Sequence, residues 1–228
     1  EISFLLLTNG SDFQALPLAQ DHKRLLNDNR GPNTGGMGTL APMSISPELY
    51  NKIINKIIKP SVDNLKKRNY MFYGVLFIGL MIVDDEPFAL EYNVRFGDPE
   101  VQVILPLIEN NMIDLFFQLS QGSLQKIQLN HKTAFCIVNA AEGYPDTPVK
   151  GTPILLPKDT EQSYILHAGT DIHLNTKSEK QLISNGGRVL NVIAIQDDFL
   201  KAKALAYETN SKIIFNGRQF RTDIGNYI

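Results

Sequence analysis

Hydrophobic positions in this chain fall into runs whose spacing changes along its length. Ile2 to Leu7 is almost continuously apolar and reads as a strand, and Asn9-Gly10 is a tight-turn pair that returns the chain through Phe13 to Leu18 as a hairpin. From Gln20 to Pro42 the periodicity disappears, with glycine and proline crowded between Gly31 and Gly38, which predicts a long loop. Ser46-Pro47 then reads as a helix N-cap and first turn, and Tyr50, Ile53, Ile54, Ile57 and Ile58 make a buried stripe. Phe72 to Val83 and Phe88 to Asn93 predict two strands joined by the turn Asp84-Asp85-Glu86-Pro87. An apolar stretch from Val101 to Ile108 precedes a helix expected from Met112 to Gln121, stopped by Gly122.

Past the polar segment Ser123 to Lys132 the pattern is β-rich. Strands are expected at 133–139, 154–156, 163–168, 171–174 and 188–195, followed by an amphipathic helix from Asp198 to Asn210. This change predicts a domain boundary near residue 125, dividing the chain into 1–124 and a smaller α+β domain at 125–228.

Composition adds exclusions. The 228 residues are 43% hydrophobic and 20% charged, with a net charge of −2. That balance offers no basic field for nucleic acid or an anionic membrane. No apolar stretch approaches the roughly 20 residues of a membrane span, and the single Cys136 sits in an apolar strand. A cytoplasmic protein is expected. The chain enters directly as a strand at Glu1 without Met, which reads as a fragment of something longer.

The densest chemistry lies in Glu91-Tyr-Asn-Val-Arg-Phe-Gly-Asp-Pro-Glu100. Glu91 and Asn93 are two apart, so on a strand their side chains leave on one face. Alone, such a pair is usually a solvated strand end. At the end of a rigid hairpin, and followed by Arg95, Asp98 and Glu100, it has the makings of half a Mg²⁺ site, the remaining ligands being water and phosphate. A second candidate is the loop Gly31-Pro-Asn33-Thr34-Gly35-Gly36-Met37-Gly38, whose glycines would let backbone N–H groups approach a phosphate. It lacks the lysine and immediate helix of a P-loop. Asp21, His22, Lys23 and Arg24 precede it as receivers of an anion. Less distinctive are His167, the turn Asn185-Gly-Gly-Arg188, and Arg221-Thr-Asp223, which reads as a surface ion pair.

Six motifs, Gln20-Asp-His-Lys-Arg24, Gly31 to Gly38, Glu91 to Glu100, Leu166-His-Ala-Gly-Thr170, Asn185-Gly-Gly-Arg-Val-Leu190 and Arg221-Thr-Asp-Ile-Gly225, occur in an order that resembles the phosphoribosylamine–glycine ligase family of the ATP-grasp superfamily. The resemblance spans nearly the whole chain. It implies an α+β fold: the C-terminal lobe of an ATP-grasp, an antiparallel sheet with helices, and then a smaller β-rich domain. It further implies ligation of glycine to 5-phosphoribosylamine, driven by ATP through glycyl phosphate, in purine biosynthesis, with the other part of the polypeptide supplying much of the ATP pocket. A piece of this kind would be inactive alone.

On that resemblance Glu91 and Asn93 are metal ligands for Mg²⁺ or Mn²⁺, and Glu1 is a contributor to the nucleotide site. Arg95 would meet the phosphoryl group or glycine's carboxylate. Asp98 or Glu100 would pair with an ammonium group or take a proton from the attacking amine. Asp21 to Arg24 and Asn33 to Gly38 would close over substrate. Many ATP-grasp enzymes carry a further metal-binding carboxylate on the preceding strand; here that stretch is Ile78-Gly-Leu-Met81. The alternatives are another ATP-grasp ligase or carboxylase, and a fragment that only binds ligand or a partner.

Overall fold

The computed structural model describes residues 1–68, 70, 72–174 and 178–226. In chain order its elements begin with β1 (Ile2–Thr8), β2 (Phe13–Ala15), β3 (Gln20–Asp21), β4 (Arg24–Leu26), β5 (Arg30–Asn33) and β6 (Gly38–Ala41). Helix α1 (Pro47–Ile53) runs through a π-helical turn, Ile54–Ile58, into α2 (Lys59–Lys67). Strands β7 (Gly74–Val83) and β8 (Glu86–Asn93) follow, then α3 (Val101–Ile104) and α4 (Met112–Ser120). The remainder is β9 (Thr133–Ala140), β10 (Ser163–His167), β11 (Thr170–Leu174), β12 (Lys180–Ser184), β13 (Arg188–Gln196) and α5 (Phe199–Ser211).

Two compact units result: Glu1–Gln20 with Ala41–His131, and Asp21–Leu40 with Lys132–Ile228. Where the sequence reading draws one boundary, the segment 21–40 belongs with the C-terminal residues. The physical cause is β6. The Gly-rich stretch was expected to be an irregular loop, but Gly38–Ala41 is fully buried and lies between β9 and β3 in a sheet ordered β10-β13-β9-β6-β3. Flanking strands supply the backbone hydrogen bonds that a four-residue strand cannot organise from its own propensity.

The first unit is built on an antiparallel sheet ordered β2-β1-β7-β8. One face, carrying Ile2, Phe4, Leu6, Leu76, Ile78 and Leu80, packs on Leu49, Ile53, Ile57 and Ile58 of the helical run, as the isoleucine stripe predicted. Ser46 caps α1, its hydroxyl accepting the Leu49 N–H at 3.1 Å. The π turn precedes Pro60, where an ordinary α-helical ladder would press the proline ring against the carbonyl four residues back.

In the second unit α5, capped by Asp198, lies against β9 and β13. Its Ala202 and Ala206 pack with Phe135, Ile137 and Val192. The strand expected at 154–156 reduces to isolated bridges, Pro153 to Ile183 and Leu155 to Ile214. No helix among the described residues is long and apolar enough to cross a membrane.

Candidate active site

In the first unit, the β7–β8 hairpin turns at Asp84 and Asp85, both at positive φ (50° and 57°), a backbone twist that suits tightly linked antiparallel strands. Farther along, Leu80 pairs with Ala89 but Gly79 pairs with Glu91, so Leu90 is an extra residue, a β-bulge. Because side chains alternate faces, this one-residue insertion decides where Glu91 and Asn93 point. Without it, Glu91 would stand opposite Ile78, on the face packed against α1 and α2. With it, Glu91 joins the row Ser3–Gly79–Glu91 across three strands and Asn93 joins Leu5–Phe77–Asn93. Tyr92 takes the opposite face, its hydroxyl 3.0 Å from that of Ser61.

The two proposed metal ligands therefore share a face on a solvent-facing edge strand. Gly79 gives Glu91 its room, since a Cβ there would lie 3.1 Å from Glu91 Cγ. Glu1 is exposed immediately before β1. Among the described residues no three His, Cys, Asp or Glu side chains converge on a metal-binding group, and Glu91 and Asn93 present two hard oxygen donors on one face of β8.

The rest of the decapeptide divides. Arg95 is exposed and donates to the Phe96 carbonyl at 2.7 Å, and exposed Asp98 accepts from Gln102 at 2.7 Å. Glu100 differs from the expectation of a catalytic group. It is 2% exposed, it accepts the Ser3 hydroxyl at 2.8 Å, and its other oxygen lies over Gly97, where a Cβ would meet it at 2.2 Å. Glu100 thus ties the start of α3 to the beginning of β1.

In the second unit the loop residues are placed against expectation. A phosphate cradle needs unengaged backbone N–H groups, yet four consecutive ones are already donated within the protein. Thr34 N–H bonds the Lys23 carbonyl at 2.8 Å, Gly35 N–H the Tyr144 hydroxyl at 2.9 Å, Gly36 N–H the Thr34 hydroxyl at 3.0 Å and Met37 N–H the His22 carbonyl at 2.9 Å. Met37 is fully buried, and at Gly38 a Cβ would strike the Cys136 carbonyl at 2.8 Å. These glycines serve close packing. The side chains left at the surface here are Arg24 and Asn33, with Lys23 partly exposed beside Asp21 (3.9 Å).

His22, expected to meet an anion, is 4% exposed and has both nitrogens engaged. Gly225 N–H donates to Nε2 at 3.1 Å, which leaves Nδ1 to carry the hydrogen toward the Gly38 carbonyl 3.2 Å away. Burial, aided by the Arg221 charge, pushes its pKa down to about 4, and the ring is neutral at pH 7.

The Arg221–Asp223 pair is likewise no surface ion pair. Arg221 is 0% exposed and meets Asp223 through two bonds of 2.7 Å. Its third arm reaches the Arg24 carbonyl (3.2 Å) and Asn29 (3.0 Å), while Asp223 accepts the Asp28 N–H at 2.8 Å. Burial opposes the Asp223 charge, and the Arg221 guanidinium overrides it, so the carboxyl pKa stays below its ordinary value. Arg188 donates to the carbonyl of Gly35 at 2.6 Å. The 167–170 and 185–188 turns interlock through Gly169 and Gly186, each too close to the other for any Cβ.

Two models of one enzyme family match in register: phosphoribosylglycinamide synthetase, ATP-grasp (A) domain, over residues 1–101, and its C domain over residues 134–227. The chain belongs to the phosphoribosylglycinamide synthetase family. It is 40% identical over 231 residues to a phosphoribosylamine–glycine ligase of Ralstonia nicotianae, covering 99% of this chain and 54% of that protein. The solved phosphoribosylamine–glycine ligase of Thermotoga maritima superposes with a TM-score of 0.84 at 36% identity, over 97% of this chain and 55% of that one. The chain spans about half the length of the curated relatives it matches. A biotin carboxylase domain from Hydrogenobacter thermophilus, at 14% identity and a TM-score of 0.64, shares the fold alone, an α+β ATP-grasp arrangement.

Within the synthetase family frame, the residues that sequence reasoning missed are Ser3, Gly79 and Tyr144. Gly79 carries a readable signal, a glycine inside an apolar strand, which often marks close approach of another group. Ser3 and Tyr144 act through partners distant in sequence and carry none.

Proposed function

We propose that this chain is the part of a phosphoribosylamine–glycine ligase that holds a divalent cation on the ATP phosphates and receives the phosphoribosyl amine. The observation that carries the reading is the placement of Glu91 and Asn93 on one face of the edge strand β8 by the Leu90 bulge, in a chain matched over residues 1–101 and 134–227 by that family's two models. The donor set fits Mg²⁺: a carboxylate and an amide oxygen on an edge strand, the Glu91 side chain given its room by Gly79, with phosphate oxygens to complete the shell. Mg²⁺ bound there would offset the negative charge that otherwise repels an incoming carboxylate from a phosphoryl group.

Arg95 and Asp98 are, beside Glu91, the outward charges of the decapeptide. In this reading Arg95 neutralises the transferring phosphoryl group or the glycine carboxylate, and Asp98 holds an ammonium group or takes the proton released as the amine attacks. Glu100 acts indirectly, fixing the segment that carries them. Lys23, Arg24 and Asn33 offer side chains to an anionic ribosyl phosphate. The portion of the relatives' length that this chain does not span would complete the nucleotide site.

The test is ADP release by the whole enzyme with glycine and 5-phosphoribosylamine, against bicarbonate as the alternative acceptor. Turnover requiring both the amino acid and the amine supports the reading; stimulation by bicarbonate alone refutes it. Glu91→Gln should raise the Mg²⁺ concentration needed for half-maximal rate, and an unchanged titration would remove Glu91 from the ligand set.

A further inference from the structure

The Gly31–Gly36 loop leaves a question: with its N–H groups used internally, what do its glycines achieve? At Gly35 the answer is geometric. A Cβ there would lie 2.9 Å from Arg188 Cζ, 3.1 Å from one terminal nitrogen and 3.2 Å from Nε, so the guanidinium rests flat against the Gly35 backbone. Arg188 donates to the Gly35 carbonyl at 2.6 Å and reaches toward that of Gly36 at 3.5 Å. The Tyr144 hydroxyl accepts the Gly35 N–H at 2.9 Å, and the Tyr144 ring lies where a side chain at Gly187 would stand, 2.4 Å from a Cβ. Both polar groups of one exposed glycine are therefore held by two side chains more than a hundred residues away, each given space by a glycine of its own.

We infer that Arg188 and Tyr144 are positioning residues that clamp Gly35, set the conformation of the 31–36 loop, and so determine affinity for the phosphorylated ribosyl amine. The inference rests on the proposed function, in which Lys23, Arg24 and Asn33 face that substrate. Thr34 couples the clamp to those side chains, because its N–H and its hydroxyl both donate to the Lys23 carbonyl at 2.8 Å while its hydroxyl accepts the Gly36 N–H. A shift at Gly35 thus moves the backbone of Lys23 with it. The clamp belongs to the second unit and Glu91 and Asn93 to the first, so its loss should separate the amine substrate from ATP.

The experiment compares Arg188→Lys, which keeps the charge and loses the planar guanidinium, with Tyr144→Phe, which removes one hydroxyl, and with Gly35→Ala. Loop order is read by amide hydrogen exchange at Thr34–Met37, and function by steady-state kinetics of the whole enzyme. The expected result is faster exchange at Gly35 and Gly36, together with about a tenfold rise in KM for phosphoribosylamine per charged bond lost. The KM for ATP and the Mg²⁺ requirement should stay at wild-type values. Tyr144→Phe should act in the same direction more weakly. Unchanged exchange in Arg188→Lys would overturn the clamp, and so would an equal rise in both KM values. Faster exchange with an unchanged amine KM would overturn the link between the loop and recognition. A wild-type enzyme that never turns over glycine and phosphoribosylamine would instead refute the function on which the inference stands.

Discussion

Glu91 fills space left by the absent side chain of Gly79 on the neighbouring strand, with a Cβ at 79 falling 3.1 Å from Glu91 Cγ. Carboxylate and glycine form one unit: the bulge at Leu90 turns Glu91 onto this face, and Gly79 lets it lie down there. Gly79→Val should push Glu91 off its path and weaken cation use by about tenfold, the scale seen when support of a metal ligand is lost. A Mg²⁺ titration of the ATP-dependent rate checks this. Wild-type Mg²⁺ dependence in Gly79→Val would show that the carboxylate needs no such cradle.

Glu100 is buried and accepts the Ser3 hydroxyl, and the two residues can be tested for a structural role. Ser3→Ala leaves a buried carboxylate short of a donor and should cost about 1–3 kcal/mol in urea unfolding. Glu100→Gln can still accept from Ser3, and the pH–rate profile of the whole enzyme should keep its shape. Loss of one limb of that profile would return Glu100 to the reacting groups.

Arg221→Met strands the buried Asp223 carboxylate and removes a donor from the Arg24 carbonyl and Asn29, and should destabilise the second unit by about 3–5 kcal/mol, as breaking a buried pair does. Adding Asp223→Asn should cost less than the sum of the single changes, because the residues act together. Chemical denaturation of all three variants measures the coupling. Additive losses would mean the pair is not energetically one element.

His22 gives a pH dependence with a definite sign. Its pKa is lowered to about 4 in the folded protein from an ordinary 6.5. Between those values the unfolded chain binds the extra proton, so stability rises with pH. The contribution is complete above about 6.5, is lost as pH falls toward 4, and amounts to on the order of 3 kcal/mol. Unfolding free energies at pH 4.5 and pH 7 should therefore differ more in the wild type than in His22→Gln. Identical differences would show that His22 is not the titrating group.

Local pattern was enough for the elements whose information is local. Asn9-Gly10, the Ser46-Pro47 helix start, the isoleucine stripe and the two long strands of the hairpin all follow from turn chemistry, capping and periodicity. The same-face relation of Glu91 and Asn93 follows from strand geometry alone. Which face they occupy does not, because it depends on a bulge whose cause is the pairing of β8 with β7. Polar and glycine-rich stretches misled most. Gly38–Ala41 looked like loop and is an interior strand, and His22 and Arg221 looked like surface charge and are buried. Residue identity states what a side chain can bond. Burial depends on partners brought in from elsewhere, and for His22 and Arg221 those partners, Gly225 and the Arg24 carbonyl, lie about two hundred residues away along the chain. The chemistry was legible in the residues, while its division into outward groups and buried ties arose from long-range contacts that no local pattern records.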